Sequence, residues 1–147
     1  DRLFVELESR PGHLTHAGTF VPDPDWSYEG EVQFLEACNM SFRTDALKAI
    51  GGFDESYGGI GDWSEPDVCF RLRQAFPAQR LWFSPAAGVE HRPSQAGAFS
   101  KRRPQSWIRL HNYERFADRW VTPSIRHQLY RAFLRTYYTG AYYGWWG

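Results

Sequence analysis

Between Cys38 and Arg92 the chain reads CNMSFRTDALKAIGGFDESYGGIGDWSEPDVCFRLRQAFPAQRLWFSPAAGVEHR, and the order of stops and starts in this stretch restricts the fold more than any other feature. Thr44 is placed to N-cap a short helix over Asp45 to Ile50, and Gly51-Gly52 closes it. The loop from Phe53 to Trp63 holds Gly58, Gly59 and Gly61 and is expected to be mobile. Ser64 is read as the cap of a second helix that runs to about Phe76, where Pro77 stops it. Arg80 to Ser84 and Gly88 to Glu90 read as short strands parted by Pro85. Helix, glycine loop, acid-led helix and strand in this order predict an α/β fold.

The flanks are less regular. Residues 1–30 lack a period; Leu3-Phe4-Val5 is a candidate strand and Pro22-Asp23-Pro24-Asp25 a turn-rich loop. Residues 31–43 alternate in part and read as a strand that enters a turn at Asn39. Residues 92–105 are basic and aperiodic. Two helices follow, near 106–119 and 123–138, with Thr122-Pro123 as the N-cap and N1 pair of the last one. There are no internal repeats. A chain of 147 residues suffices for one domain with one core. Residues 1–121 are taken as its body and 122–147 as an aromatic-rich C-terminal helix.

Composition excludes some classes. The 17 basic and 17 acidic residues cancel, so no global field attracts nucleic acid. Cys38 and Cys69 form no metal-type spacing and read as small buried thiols in a reducing, cytoplasmic setting. Asp1-Arg2-Leu3 lacks the basic head and long apolar run of a signal peptide. No run of about 18 apolar residues is long enough to span a bilayer. The 7 Trp and 8 Tyr gather toward the C-terminus, which raises the question of a surface contact there.

The acid-led helix carries the candidate chemistry. Ser64 and Asp67 match a capping box, in which the acid reaches back to the helix start, and Asp67 is also four residues before Arg71. Both are structural explanations for Asp67. Glu65 lies in line with Val68, Cys69, Leu72 and Phe76 on a 3.6-residue period, so it is expected to face the interior or a cleft at the helix mouth. Helix-dipole stabilisation is the ordinary reason for an acid there, and a catalytic task is the other. His91, after Val89-Glu90 at an expected strand end, is a structural histidine or a ligand at the edge where α/β sites collect. Arg102 and Arg103, with Lys101, form either a solvated run or a phosphate contact. Asp23 and Asp25 match D-x-D formally, but two prolines leave no strand to aim them.

Several linked segments resemble the second half of a family 2 glycosyltransferase domain. They are Asn39-Met40-Ser41-Phe42-Arg43 with Leu47; Gly51-Gly52-Phe53-Asp54-Glu55; Glu65-Pro66-Asp67-Val68-Cys69-Phe70-Arg71-Leu72; and Pro85, Val89 and His91. The match covers about residues 39–92 and extends more loosely to Asn112, Arg115 and Phe116. Alignment on Asp67 to Leu72 puts Glu65 where the family has its catalytic base, while Ser64 replaces the family glutamate before it. The resemblance implies a GT-A fold, that is, a mixed sheet flanked by helices. It also implies a nucleotide-sugar donor and a divalent ion, Mg or Mn, with His91 near the metal or diphosphate.

On this reading residues 1–121 are the acceptor-side portion of a catalytic domain whose nucleotide-binding half lies upstream. Glu65 and Asp67 are the expected catalytic residues, and Asn39, Trp63, Arg102 and Arg103 the expected substrate contacts. The acceptor would be a glycan, a lipid-linked group or another hydroxyl. Residues 92–105 are expected to order over the donor as a lid. The alternative is a non-catalytic carbohydrate- or membrane-surface-binding module. For this the last helix offers an apolar stripe of Ile125, Leu129, Ala132 and Phe133 beside Arg126, Arg131 and Arg135, a pattern suited to peripheral contact at the inner face of a membrane. Ordinary packing of that helix on the domain is the competing expectation.

Overall fold

The computed structural model describes residues 12–19, 27–35, 37–90, 92 and 105–144. They form four α-helices and a two-stranded antiparallel sheet, a mixed α/β arrangement. Strand β1 is Gly30–Val32 and β2 is Leu81–Phe83. Gly30 pairs with Phe83, Glu31 with Trp82 and Val32 with Leu81. β1 is shorter than the expected strand over 31–43: the chain leaves the sheet after Val32 and makes a 3₁₀ turn at Ala37–Asn39.

Helix α1 spans Thr44–Ala49. Arg43, not Thr44, occupies its N-cap, and no side chain caps it. At its other end Gly51 and Gly52 donate to the carbonyls of Lys48 and Leu47, the paired bonds of a Schellman stop. Gly51 has φ +80°, a conformation glycine adopts without a Cβ clash. Helix α2 spans Ser64–Ala75 and ends before Pro77, as expected. The expected strand over Gly88–Glu90 is absent. Those residues are all exposed and pair with no strand among the described residues, so the segment before His91 is a bend followed by irregular chain.

Helices α3, Ser106–Trp120, and α4, Ile125–Tyr143, close the described chain. α4 starts one turn signal later than expected. Ser124 is its N-cap, its hydroxyl accepting from the His127 amide at 3.0 Å, so Thr122-Pro123 precede the helix. Gly140 is buried within α4, and Gly144 in the left-handed region ends the helix.

Two apolar clusters hold these parts. Phe34, Ala46, Val68, Cys69 and Leu72 join α1, α2 and the sheet. Leu110, Tyr113, Ala117 and Leu134 join α3 to α4. Phe70 of α2 bridges the clusters, edge-on to Phe116 at 5.6 Å and tilted against Trp120 at 5.5 Å. Cys69 is buried, its sulfur accepting from the Leu35 amide at 3.4 Å. Cys38 is exposed rather than buried, because the 3₁₀ turn carries it away from the core.

Candidate functional site

The mouth of α2 is built by three segments that are distant in sequence. Asp67 is fully buried. Its carboxylate accepts from Arg71 Nε at 2.7 Å, from Arg119 Nη1 at 2.9 Å and from Trp120 Nε1 at 2.8 Å. Arg71 continues the network, donating to the carbonyls of Ile50 at 3.0 Å and Gly52 at 2.7 Å. One buried carboxylate therefore ties α2 to the end of α1 and to the end of α3. Burial opposes ionisation of Asp67, but the hydrogen bonds from Trp120, Arg71 and Arg119 outweigh it and hold its carboxyl below the ordinary range.

The capping box expected of Ser64 and Asp67 does not form. Trp63 is the N-cap of α2, with no side-chain cap bond, and Ser64 is already helical. Asp67 turns instead toward α3, where Arg119 and the Trp120 indole N–H join Arg71 of its own helix and give it more than one helix-start amide would. Trp63 has φ +75°, the left-handed region, which costs a non-glycine residue about 1–2 kcal/mol. Its ring packs against Tyr113 at 5.0 Å and Phe116 at 4.9 Å, contacts that offset the strain and fix where α2 begins.

Glu65 is the second residue of α2, half-buried in its first turn. The residues after it, Pro66 to Cys69, are all buried. The expected stripe is present, with Val68, Cys69 and Leu72 in the core and Glu65 at its partly open end. The two carboxylates are thus in different environments. Asp67 is saturated with donors in the interior, whereas Glu65 keeps access to the surface.

The glycine loop is tied down rather than loose. Asn112 is fully buried; its Nδ2 donates to the Gly58 carbonyl at 3.0 Å and its Oδ1 accepts from the Gly58 amide at 3.1 Å. Arg109 pairs with Asp62. Arg115 and Arg119 reach Asp54 at 3.2 Å and 3.5 Å. The Ser56 hydroxyl, most of all, and Arg115 hold Asp54 below the usual carboxylate range, against a smaller opposing effect of burial. Arg109, Asn112, Arg115 and Arg119 recur every three or four residues, so one face of α3 grips the loop. That spacing was visible in the sequence. Its target was not. The Tyr57 hydroxyl is buried beside Asp67 without a well-formed hydrogen bond, and burial first, then the carboxylate, pushes its ionisation up.

Asn39 is exposed and donates through Nδ2 to the Ala87 carbonyl, fastening the 3₁₀ turn to the segment after β2. His91, Arg102 and Arg103 lie outside the described residues, as do Leu3-Phe4-Val5, Asp23, Asp25 and nearly all of the expected lid. The structure therefore brings Trp63, Glu65 and Asp67 together at one helix mouth. Among the described residues no group of three or more His, Cys, Asp or Glu side chains is arranged to hold a metal ion. Asp54 and Asp67 do not fit one: both are engaged by guanidinium groups whose charge would repel a divalent cation. Comparisons with protein-family models, with characterised proteins and with solved structures gave no match to the chain.

Proposed function

We propose that the chain is the acceptor-side portion of an inverting, family 2-like glycosyltransferase of GT-A type, with Glu65 as the base that takes the proton of an acceptor hydroxyl. The observation that supports this reading is the division of labour between the two acids at the mouth of α2. Asp67 accepts three donors in the interior, while Glu65 is half-buried at the open end of the apolar stripe of Val68, Cys69 and Leu72. A base must reach its proton and stay ionised between turnovers. Glu65 meets the first demand, and Asp67, enclosed by Arg71, Arg119 and Trp120, does not. The resembling segments are also joined physically, since Arg71 binds the Ile50 and Gly52 carbonyls.

In the proposed reaction the acceptor oxygen attacks the anomeric carbon of a nucleotide-linked sugar. Glu65 removes the hydroxyl proton as the bond forms, and the nucleoside diphosphate departs from the opposite face with inversion. Asp67 positions the helix that carries Glu65. A divalent ion, Mg or Mn, belongs to the donor side of this proposal; the described carboxylates do not fit it, and no step here runs through it. The test uses this chain joined to its upstream nucleotide-binding half. Glu65→Gln lowers kcat by about 10²–10⁴ with donor binding nearly unchanged. Near-normal turnover in Glu65→Gln refutes the assignment.

A second reading has its own observation. Along α4, Ile125 is 77%, Leu129 58% and Tyr137 46% exposed, and α4 carries three arginines without an acid. The opposite face, with Leu134 and Tyr138, packs on α3. No helix among the described residues is long and apolar enough to cross a membrane. This pattern supports a helix that lies on an anionic surface, although Arg131 and Arg135 are already paired with Asp118 and Glu114. Co-sedimentation with anionic liposomes at low and high salt tests it. A chain that stays in the supernatant at low salt eliminates the membrane reading.

A further inference from the structure

We infer that a shallow groove beside the last turn of α2 binds a small phosphate monoester with an apolar body. The groove has a volume of about 180 Å³. Pockets for drug-sized ligands run to about 300–1,000 Å³, so this one takes a single ring or a branched alkyl group. Its floor is apolar, formed by Phe42, Leu72, Phe76 and Leu81. Arg43, Arg73 and Arg80 also line the groove. An apolar floor under a cationic rim selects a ligand that is apolar at one end and anionic at the other.

The charge balance of the rim leaves room for an anion. Arg43 pairs with Asp45 at 2.6 Å, with the two side chains 71% and 67% exposed. Arg80 pairs with Glu31 at 2.6 Å, and those side chains are 64% and 39% exposed. Exposed pairs contribute little unless they form a two-bond fork, as Arg43 does with Asp45, so the Arg80–Glu31 pair is the weaker of the two. Arg73 has no carboxylate partner among the described residues; its guanidinium carbon lies 5.6 Å from the centre of the Phe70 ring. Three arginines at the groove are therefore balanced by two carboxylates.

A phosphate monoester suits this rim better than a carboxylate. It has three terminal oxygens for fork-shaped donors and carries about −1.5 to −2 charge at neutral pH. Gln79 and Ser41 add neutral donors at the edge. An arginine in the last turn of a helix also favours the helix dipole, which explains Arg73 as a residue type but not the apolar hollow beneath it. The groove is separate from the mouth of α2. Glu65 and Phe76 are eleven positions apart, roughly 16 Å along a helix axis. The groove thus stands or falls independently of the proposed glycosyl transfer.

The experiment is an NMR titration of the full chain, following backbone amides, with phenyl phosphate, inorganic phosphate, phenol and benzoate. Phenyl phosphate is expected to bind at least roughly tenfold more tightly than the other three, with shifts centred on Arg73, Phe76, Gln79 and Leu81. Arg73→Gln weakens phenyl phosphate by roughly ten- to hundredfold. Gln79→Glu, at an exposed rim position, is a second variant that weakens it by at least roughly tenfold through repulsion and leaves the core untouched. Inorganic phosphate or phenol binding as tightly as phenyl phosphate overturns the inference. Equal binding of benzoate overturns the choice of phosphate, and unchanged affinity in both variants overturns the site.

Discussion

Replacing Asp67 by Asn tests whether one buried carboxylate joins the two halves of the described fold. The substitution keeps the side-chain shape and removes the charge. Three donors now reach the carboxylate, from Arg71, Arg119 and Trp120. A hydrogen bond to a charged group contributes about 1.5–3 kcal/mol and a neutral one about 1, so each bond loses roughly 1 kcal/mol even where it survives. The amide nitrogen of Asn must also face a donor. Arg71 and Arg119 are 16% and 43% exposed, so the stranded guanidinium groups recover part of their hydration. The expected cost is about 3 kcal/mol, at the low end for breaking a buried pair. With a urea m-value near 2 kcal/mol/M the midpoint falls by about 1.5 M. The measurement is urea unfolding followed by tryptophan fluorescence and circular dichroism. The pH dependence supplies a second check. The folded-state pKa of Asp67 is lowered, so the stability its charge provides is complete above the ordinary carboxylate range and is lost as pH falls through the folded value. The gap between the native chain and Asp67→Asn is therefore flat from pH 7 to about 5 and narrows on further acidification. A midpoint shift under about 0.3 M at pH 7 would refute the reasoning.

Gly51→Ala and Gly12→Ala separate backbone strain from crowding. Both glycines have positive φ, but a Cβ on Gly51 meets nothing within 4 Å, whereas one on Gly12 lies 2.7 Å from Val32 Cβ. Gly51→Ala is expected to cost about 1–2 kcal/mol and Gly12→Ala about 1–3 kcal/mol more in urea unfolding, and equal costs would contradict the placement of Gly12 against Val32. His127 is buried at the start of α4; burial, then Arg131, lowers its pKa from 6.5, and Asp118 opposes them. The unfolded chain therefore takes up a proton that the native chain resists, so stability is full above pH 6.5 and declines as pH falls through the lowered value. His127→Gln should flatten the stability curve between pH 6.5 and 5, and an unchanged decline in the variant counts against His127 as its source.

The parts of the fold that were legible in the sequence are those decided by local chemistry. Gly51-Gly52 stopped α1, Pro77 stopped α2, and the stripe of Val68, Cys69 and Leu72 faces the core as its period implies. Helix starts were less legible. Thr44, Ser64 and Thr122 each have side chains suited to capping, yet the caps are Arg43, Trp63 and Ser124. At α2 the reason is tertiary. Trp63 takes a strained backbone conformation because Tyr113 and Phe116, about fifty residues later, receive its ring, and this moves the helix start back by one residue. The same packing decides the fate of Asp67. A helical period places it off the apolar stripe, and in isolation it would be a surface partner of Arg71. It is buried because α3 crosses the mouth of α2 and brings Arg119 and Trp120 onto its free oxygens. No pattern within α2 encodes that crossing. The same reasoning makes Glu65 more distinctive than its sequence neighbours suggest: in a first turn where Pro66, Asp67, Val68 and Cys69 are all covered, it is the acid left at the opening. A chemical role for this helix mouth therefore rests on the position of Glu65, and the position of Glu65 rests on Asp67.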